Sequence, residues 1–182
     1  EFFTGAKLVG LSGANYKLDP GKLDAALQLA GRGNPTRAQP FALNITQPSD
    51  VGTLYSVDEV RALAEVAHRH GLFVHMDGAR FANALVALGC TAADLTWRAG
   101  VDVLSFGATK NGAINAEAVV VFDPKLATEI PYRMKRGGQV LSKARFVSAQ
   151  LDRYLADDRW LARAREANAK AAGLAQALQS IP

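Results

Sequence analysis

The chain has 182 residues, of which 49% are hydrophobic and 21% are charged, as in a folded globular domain. Its formal net charge is +4, but the basic residues are scattered along helix-like stretches, which argues against a nucleic-acid-binding stripe. The single cysteine, Cys90, excludes an intramolecular disulfide and a cysteine-based zinc site, and no apolar run approaches the roughly 18 residues of a membrane span. We therefore expect a cytoplasmic protein that binds neither nucleic acid nor a membrane.

Predicted strands and helices alternate from the beginning of the chain. Asp19 and Pro20 are a good helix start, because aspartate caps a helix well and proline suits the first helical position. The predicted elements, in order, are a strand at 7–11, a helix to about Ala30, a loop at 31–40, a buried strand at 41–46 and a loop at 47–52.

A capping box opens the next predicted helix. In SVDE, residues 56–59, the Ser56 hydroxyl can accept a hydrogen bond from the amide three residues on, while Glu59 reaches back. The apolar face of this helix carries Val57, Val60, Leu63, Ala64 and Ala67.

The remaining sequence continues the alternation and then becomes helical. Strands that alternate with helices predict an α/β fold with a largely parallel sheet, in which ligands bind beyond the carboxyl ends of strands. The next predicted elements are a strand at 71–77, a helix at 79–88 that stops near Gly89, and another short helix whose cap is formed by residues 91–94. Strands follow at 101–106 and 117–122, and the chain after Pro124 is predicted to be helical with a break at Gly137-Gly138.

Polar residues in HMDGAR, residues 75–80, are the first candidates for chemistry. His75 and Asp77 share one face of the predicted strand, Asp77 falls where that strand ends, and Arg80 begins the next helix. The alternative is structural: Asp77 caps the helix, Arg80 makes a surface ion pair, and His75 is a hydrogen-bonded core histidine.

The second candidate is Lys110 in LSFGATKNG, residues 104–112. Its side chain could simply extend from a strand end into water. Alternatively, hydroxyls such as those of Ser105 and Thr109 could help the loop to bind a phosphate, or a partly desolvated lysine could form an imine. The loop is not a Walker loop, because its glycine spacing differs and asparagine follows the lysine.

Asp77 and Lys110, 33 residues apart, suit one cofactor. Pyridoxal phosphate needs a lysine for its aldehyde and an anion for its protonated ring nitrogen. A non-catalytic α/β domain, with Lys110 contacting the phosphate of a nucleotide or a partner, remains an alternative.

On these motifs the chain resembles the threonine aldolases of the fold-type-I pyridoxal-phosphate enzymes, a group that also holds the aromatic amino acid β-eliminating lyases. HMDGAR is similar to the group's His-x-Asp-Gly-Ala-Arg segment, and SFGATKNG to the lysine segment of bacterial low-specificity L-threonine aldolases. TQPSDVGTLYSVDEV and KRGGQVLSKARFVSAQLDRYL extend the resemblance over essentially the whole chain. It implies a three-layer α/β/α large domain with a mostly parallel sheet, followed by the start of a small domain.

The resemblance also implies roles for particular residues. Lys110 matches the lysine that bonds to the cofactor aldehyde, and Asp77 matches the carboxylate that pairs with the pyridine nitrogen. Arg80 matches an arginine that holds the substrate carboxylate near the ring, and His75 is a candidate base or a support for Asp77. The residues implied as contacts of the cofactor phosphate are Thr109 and, toward a neighbouring subunit, Lys135 or Arg136.

The implied reaction is the retro-aldol cleavage of L-threonine, L-allo-threonine and related β-hydroxy-α-amino acids to glycine and an aldehyde. The alternative is β-elimination from tyrosine or tryptophan. We expect a homodimer or homotetramer with shared active sites. Residues 1–136 would form the C-terminal part of the large domain, and residues 137–182 the linking helices and the start of the small domain. Because the sequence begins without methionine, we also expect a fragment of a longer protein.

Overall fold

The computed structural model describes residues 2–179 and residue 181, and a four-stranded sheet lies at its centre. Its strands are β1 (Ala42–Thr46), β2 (Phe73–Gly78), β3 (Val103–Gly107) and β4 (Glu117–Val121). The α-helices of the described residues are α1 (Pro20–Leu29), α2 (Val57–Arg69), α3 (Phe81–Leu88), α4 (Ala92–Leu95), α5 (Pro124–Ala127), α6 (Ile130–Arg136), α7 (Arg145–Leu155) and α8 (Arg159–Leu178).

The strands lie side by side in chain order, β1-β2-β3-β4. β1, β2 and β3 are parallel, and β4 returns antiparallel to β3. Parallel neighbours need crossover connections, which contain α2 between β1 and β2, and α3 and α4 between β2 and β3. The predicted α/β class with a mostly parallel sheet is therefore confirmed.

The two faces of the sheet differ, because successive side chains of a strand point to opposite sides. One face carries half-buried or exposed polar residues: Asn44, His75, Asp77 and Ser105. Residues 41–46 were predicted as a buried strand, but only alternate side chains of β1 are buried. The opposite face supplies core residues from three strands, namely Leu43, Ile45, Val74, Met76, Leu104 and Phe106.

Two predicted helix starts are confirmed by their hydrogen bonds. Asp19 caps α1, with its Oδ1 accepting from the Lys22 amide at 2.8 Å. At α2 the Ser56 Oγ accepts from the Glu59 amide at 3.1 Å, and a Glu59 carboxylate oxygen accepts from the Ser56 amide at 2.7 Å. Of the apolar face predicted for α2, Val57 is half-buried and the others are buried: Val60, Leu63, Ala64 and Ala67.

Replacing Ser56 by alanine should destabilise the protein by about 1 kcal/mol, because the Glu59 amide loses its acceptor at the first turn of α2. Urea unfolding measures this loss. Ser142→Ala is the matched control, since that exposed serine makes no side-chain hydrogen bond among the described residues, and it should stay within about 0.5 kcal/mol of wild type. Equal effects of the two substitutions would contradict the capping role.

The prediction of a strand at residues 7–11 is wrong. Residues 7–11 belong to no strand of the described sheet, and Leu8 and Val9 are 76% and 71% exposed. A short apolar run becomes a strand only where a neighbouring strand supplies its backbone hydrogen bonds, and none of the four described strands pairs with residues 7–11. A single 3-10 turn follows at Ala14–Tyr16.

The C-terminal helices break where the sequence predicts. α6 ends at Arg136 with Gly137 as its C-cap, and α7 begins only at Arg145. α8 then packs on α3, where the Asn83 side chain donates to the Asn168 Oδ1 at 2.9 Å and the Asn168 side chain donates to the Asn83 main-chain carbonyl at 3.1 Å. A domain boundary at residue 137 stays a prediction. Within the part of the chain that the structure describes, no helix is both long and apolar enough to cross a membrane.

Candidate active site

Lys110 lies in a short turn directly after β3. The turn is one 3-10 turn at Thr109–Asn111, closed by Gly112 at φ +110°, a left-handed conformation that favours glycine. The Lys110 side chain is exposed rather than desolvated, and no described residue forms a hydrogen bond or an ion pair with its amine. The backbone of the lysine is therefore fixed, whereas its amine is open to a ligand.

Asp77 lies near the carboxyl end of the neighbouring parallel strand, β2. It is in register with Ser105 of β3. Ser105 in turn precedes Lys110 by five residues. The Asp77 Oδ1 atom accepts a hydrogen bond from the Ala79 amide at 2.9 Å, which orients the carboxylate. Asp77 and Lys110 thus belong to the same end of two adjacent strands, the edge at which parallel sheets bind ligands.

His75 joins three strands through its ring. Its Nδ1 donates to the Asn44 Oδ1 of β1 at 2.5 Å, so its Nε2 accepts from the Ser105 hydroxyl of β3 at 2.8 Å. Burial lowers the pKa of His75, and the nearby Asp77 carboxylate opposes this only in part. The ring is therefore neutral and both of its nitrogens are hydrogen-bonded, as the structural alternative expects, and a role of His75 as a base stays a prediction.

Lowering the pH should lower the free energy of unfolding, because His75 takes up a proton more readily in the unfolded state. Because burial holds its folded pKa below the ordinary 6.5, the unfolded state binds more protons between the two values. The contribution of His75 to stability is complete above pH 6.5 and is lost as the pH falls through the folded pKa. Urea unfolding from about pH 7.5 to about pH 5 should show wild type losing more stability than His75→Gln. Parallel losses would rule this contribution out.

Arg80 lies at the N-cap of α3, three residues after Asp77. Its Nη1 is 3.6 Å from the Asp50 Oδ1, and the Asp50 side chain is 92% exposed. The loop that carries Asp50 is held by buried Gln47, which donates to the Tyr55 carbonyl at 2.6 Å and accepts from the Tyr55 amide at 3.0 Å. A solvent-exposed pair of this kind is weak, so Arg80 remains available to a carboxylate ligand.

Thr109 closes the hairpin before the lysine. Its hydroxyl accepts from the Ala116 amide at 3.1 Å and donates to the Ala116 carbonyl at 3.4 Å. These bonds account for Thr109 without a ligand, and its predicted contact with a phosphate stays a prediction. Lys135 and Arg136 are exposed in the last turn of α6, and no described hydrogen bond or ion pair joins them to the Lys110 turn.

Sequence reasoning missed Asn111, the residue after the lysine. Its Nδ2 donates to the Tyr154 hydroxyl at 2.7 Å and to the Trp160 carbonyl at 2.8 Å. It also missed Asn44 and Asp50, the partners of His75 and Arg80. Asn44 carried a usable signal, because it is an amide inside an otherwise apolar strand pattern.

Two solved structures share the fold of this chain. A threonine aldolase of Leishmania major superposes with a TM-score of 0.87 over 96% of this chain and 50% of its own, at 24% identity. An L-allo-threonine aldolase homologue of Listeria monocytogenes has a TM-score of 0.64 over 86% of this chain and 41% of its own, at 19% identity. At these identities the likeness concerns the fold.

Sequence comparison is more specific. Two low specificity L-threonine aldolases, from a Pseudomonas species and from Pseudomonas aeruginosa, are 44% and 43% identical to the chain over its whole length. The chain spans about half, 52%, of the length of each of these relatives. The family model described as beta-eliminating lyase matches residues 1–182. The chain therefore belongs to the beta-eliminating lyase family.

Proposed function

We propose that the protein cleaves L-threonine, L-allo-threonine and related β-hydroxy-α-amino acids to glycine and an aldehyde. Enzymes of this family use pyridoxal phosphate. The observation that carries the proposal is the location of Asp77 and Lys110 at the ends of the adjacent parallel strands β2 and β3. The names of the Pseudomonas relatives support the aldolase reaction over elimination.

The side chains fit pyridoxal phosphate by their chemistry. The cofactor presents an aldehyde at one end of its ring and a basic nitrogen at the other, and when bound it takes up the electron pair released by bond cleavage. An open amine at Lys110 suits the aldehyde, and a carboxylate at Asp77, oriented by the Ala79 amide, suits the protonated nitrogen. In this proposal Thr109, Lys135 and Arg136 contribute to phosphate binding.

Each remaining residue has a distinct task in the proposal. Arg80 binds the substrate carboxylate, because a guanidinium can hold both carboxylate oxygens at once. His75 remains neutral, and its ring supports the sheet beneath Asp77 through Asn44 and Ser105.

Product analysis tests the proposal against the elimination reaction. Acetaldehyde and glycine from threonine are expected, whereas pyruvate from tyrosine or tryptophan without acetaldehyde from threonine would overturn the aldolase assignment. A non-catalytic binding domain gives neither product. Borohydride reduction with pyridoxal phosphate, followed by peptide mass spectrometry, should leave a pyridoxyl group on Lys110.

The proposal extends to assembly and location. The family resemblance supports a cytoplasmic homodimer or homotetramer with active sites shared between subunits. Sedimentation of the purified protein measures its oligomeric state, and a monomer that cleaves threonine would contradict shared sites.

A further inference from the structure

We propose that Asn111 is a positioning residue, which anchors the Lys110 turn to α7 and α8 and thereby fixes where the lysine amine can act. The inference rests on the proposed function of Lys110. The family resemblance assigns no role to Asn111, and its partners lie 43 and 49 residues further along the chain.

The amide of Asn111 uses both of its N–H bonds. One is donated to the Tyr154 hydroxyl and the other to the Trp160 main-chain carbonyl, at 2.7 and 2.8 Å. The hydrogen bonds within the turn are longer: Asn111 N to the Ala108 carbonyl is 3.1 Å, and Gly112 N to the Thr109 carbonyl is 3.4 Å. The shortest bonds that hold the turn therefore come from the C-terminal helices.

The aromatic residues that supply the acceptors pack closely together. Tyr154 is 5% exposed, and its ring lies 6.2 Å from that of Trp160 and 6.0 Å from that of Phe106. Phe106 belongs to β3, the strand that leads into the lysine turn, and packs edge-on against Trp160 at 5.7 Å. One aromatic cluster thus joins the strand before the lysine to the helices that hold the residue after it.

A second bond reinforces this anchor. Arg163 of α8 donates from Nη1 to the Gly112 carbonyl at 3.2 Å. A side chain at position 112 would bring its Cβ within 2.0 Å of that nitrogen, so only glycine permits this approach. Thr109 closes the hairpin on the other side, at Ala116. Lys110 is therefore held on both sides through its neighbours.

A graded set of substitutions tests the anchor. Asn111→Asp keeps the size of the side chain but has no N–H to donate, so the bond to the Trp160 carbonyl is lost and the Tyr154 hydroxyl could only donate to the new carboxylate. Tyr154→Phe removes one acceptor and leaves the Trp160 carbonyl. Asn115→Asp is the matched control, because this exposed asparagine of the same hairpin makes no side-chain hydrogen bond among the described residues. Circular dichroism confirms that each variant is folded.

The first readout does not involve the cofactor. Hydrogen exchange in peptides covering 108–113 should speed up by about tenfold in Asn111→Asp and by less in Tyr154→Phe, with peptides of β1 unchanged. Asn115→Asp should match wild type. Unchanged exchange in both anchor variants overturns the proposal. Should Asn111→Asp fail to fold, Tyr154→Phe decides by the same criterion.

The second readout follows the amine itself. After reaction with pyridoxal phosphate and borohydride, the labelling rate of Lys110 is divided by that of exposed Lys125 in the same molecule. Asn111→Asp should lower this ratio by about tenfold and Tyr154→Phe by a smaller factor, whereas a purely structural role leaves the ratio unchanged. A ratio within about twofold of wild type in Asn111→Asp overturns the positioning role.

The two proposals fail differently. If wild-type Lys110 reacts no faster than Lys125, the proposed function of Lys110 fails, and the positioning role, which depends on it, fails with it. If wild-type Lys110 is labelled preferentially and Asn111→Asp is labelled equally well, the function stands and only the positioning role fails.

Discussion

Replacing Lys110 by alanine is expected to abolish threonine cleavage and to remove the pyridoxyl group that borohydride would otherwise fix at this position. Lys110 occupies the turn after β3, and among the described residues its amine has no partner that would compete with a cofactor aldehyde. A covalent role requires a primary amine, and alanine offers none. Acetaldehyde release and peptide mass spectrometry measure the two losses in any preparation that cleaves threonine.

Two further substitutions test whether the primary amine of Lys110, rather than its positive charge, is required. Lys110→Arg keeps a positive charge but cannot bond to the aldehyde in the same way, so it should be as inactive as alanine. Lys125→Ala removes an exposed lysine from α5 and should leave turnover unchanged. If Lys110→Ala retains turnover within about tenfold of wild type, a barrier change of only about 1.4 kcal/mol, the covalent role of Lys110 is wrong.

The location of Lys110 at a strand end could be predicted because the helices and strands before it are defined by short sequence patterns. A capping box, a period-2 strand pattern and glycines at helix ends define α2, β2 and α3 within short windows. Parallel strands joined by short crossovers usually lie next to one another, so two strand ends that are consecutive in sequence become neighbours in space. Asp77 and Lys110 needed no other information to be paired.

The partners of these residues could not be predicted in the same way. Asn111 meets Tyr154 and Trp160 only because α7 and α8 fold back onto the lysine turn, and no local pattern encodes that return. Asp50 reaches Arg80 only because buried Gln47 shapes the loop that carries Asp50. The strand wrongly predicted at 7–11 failed for the same reason, because an apolar run needs a tertiary partner before it becomes a strand.

The polar face of the sheet links the supporting residues to the candidate catalytic ones. Asn44, His75 and Ser105 form one continuous hydrogen-bonded row across β1, β2 and β3. Asp77 is the next residue on the same side of β2, and its charge opposes the effect of burial on the pKa of His75. A neutral ring beside the carboxylate leaves the negative charge of Asp77 free to pair with a cationic ligand.

Asp77→Asn is therefore expected to fold like wild type and to lose most of its activity. Asparagine retains an oxygen that can accept from the Ala79 amide, so the strand end keeps its geometry, but the negative charge that would hold the cofactor nitrogen protonated is gone. Removing a preorganised electrostatic group of this kind raises a barrier by about 3–4 kcal/mol, or roughly 10²–10³ in turnover rate. Steady-state acetaldehyde release at saturating cofactor measures this loss.

Asp102→Asn provides the matched control for that charge. Asp102 lies immediately before β3, at the opposite end of the strand from Lys110, and its Oδ2 accepts from the Val74 amide at 2.7 Å and lies 3.0 Å from the His68 Nε2. Neutralising it should weaken folding and leave turnover per folded molecule unchanged. If Asp77→Asn retains turnover within about tenfold of wild type, or if Asp102→Asn loses as much, the ring-nitrogen role of Asp77 is wrong.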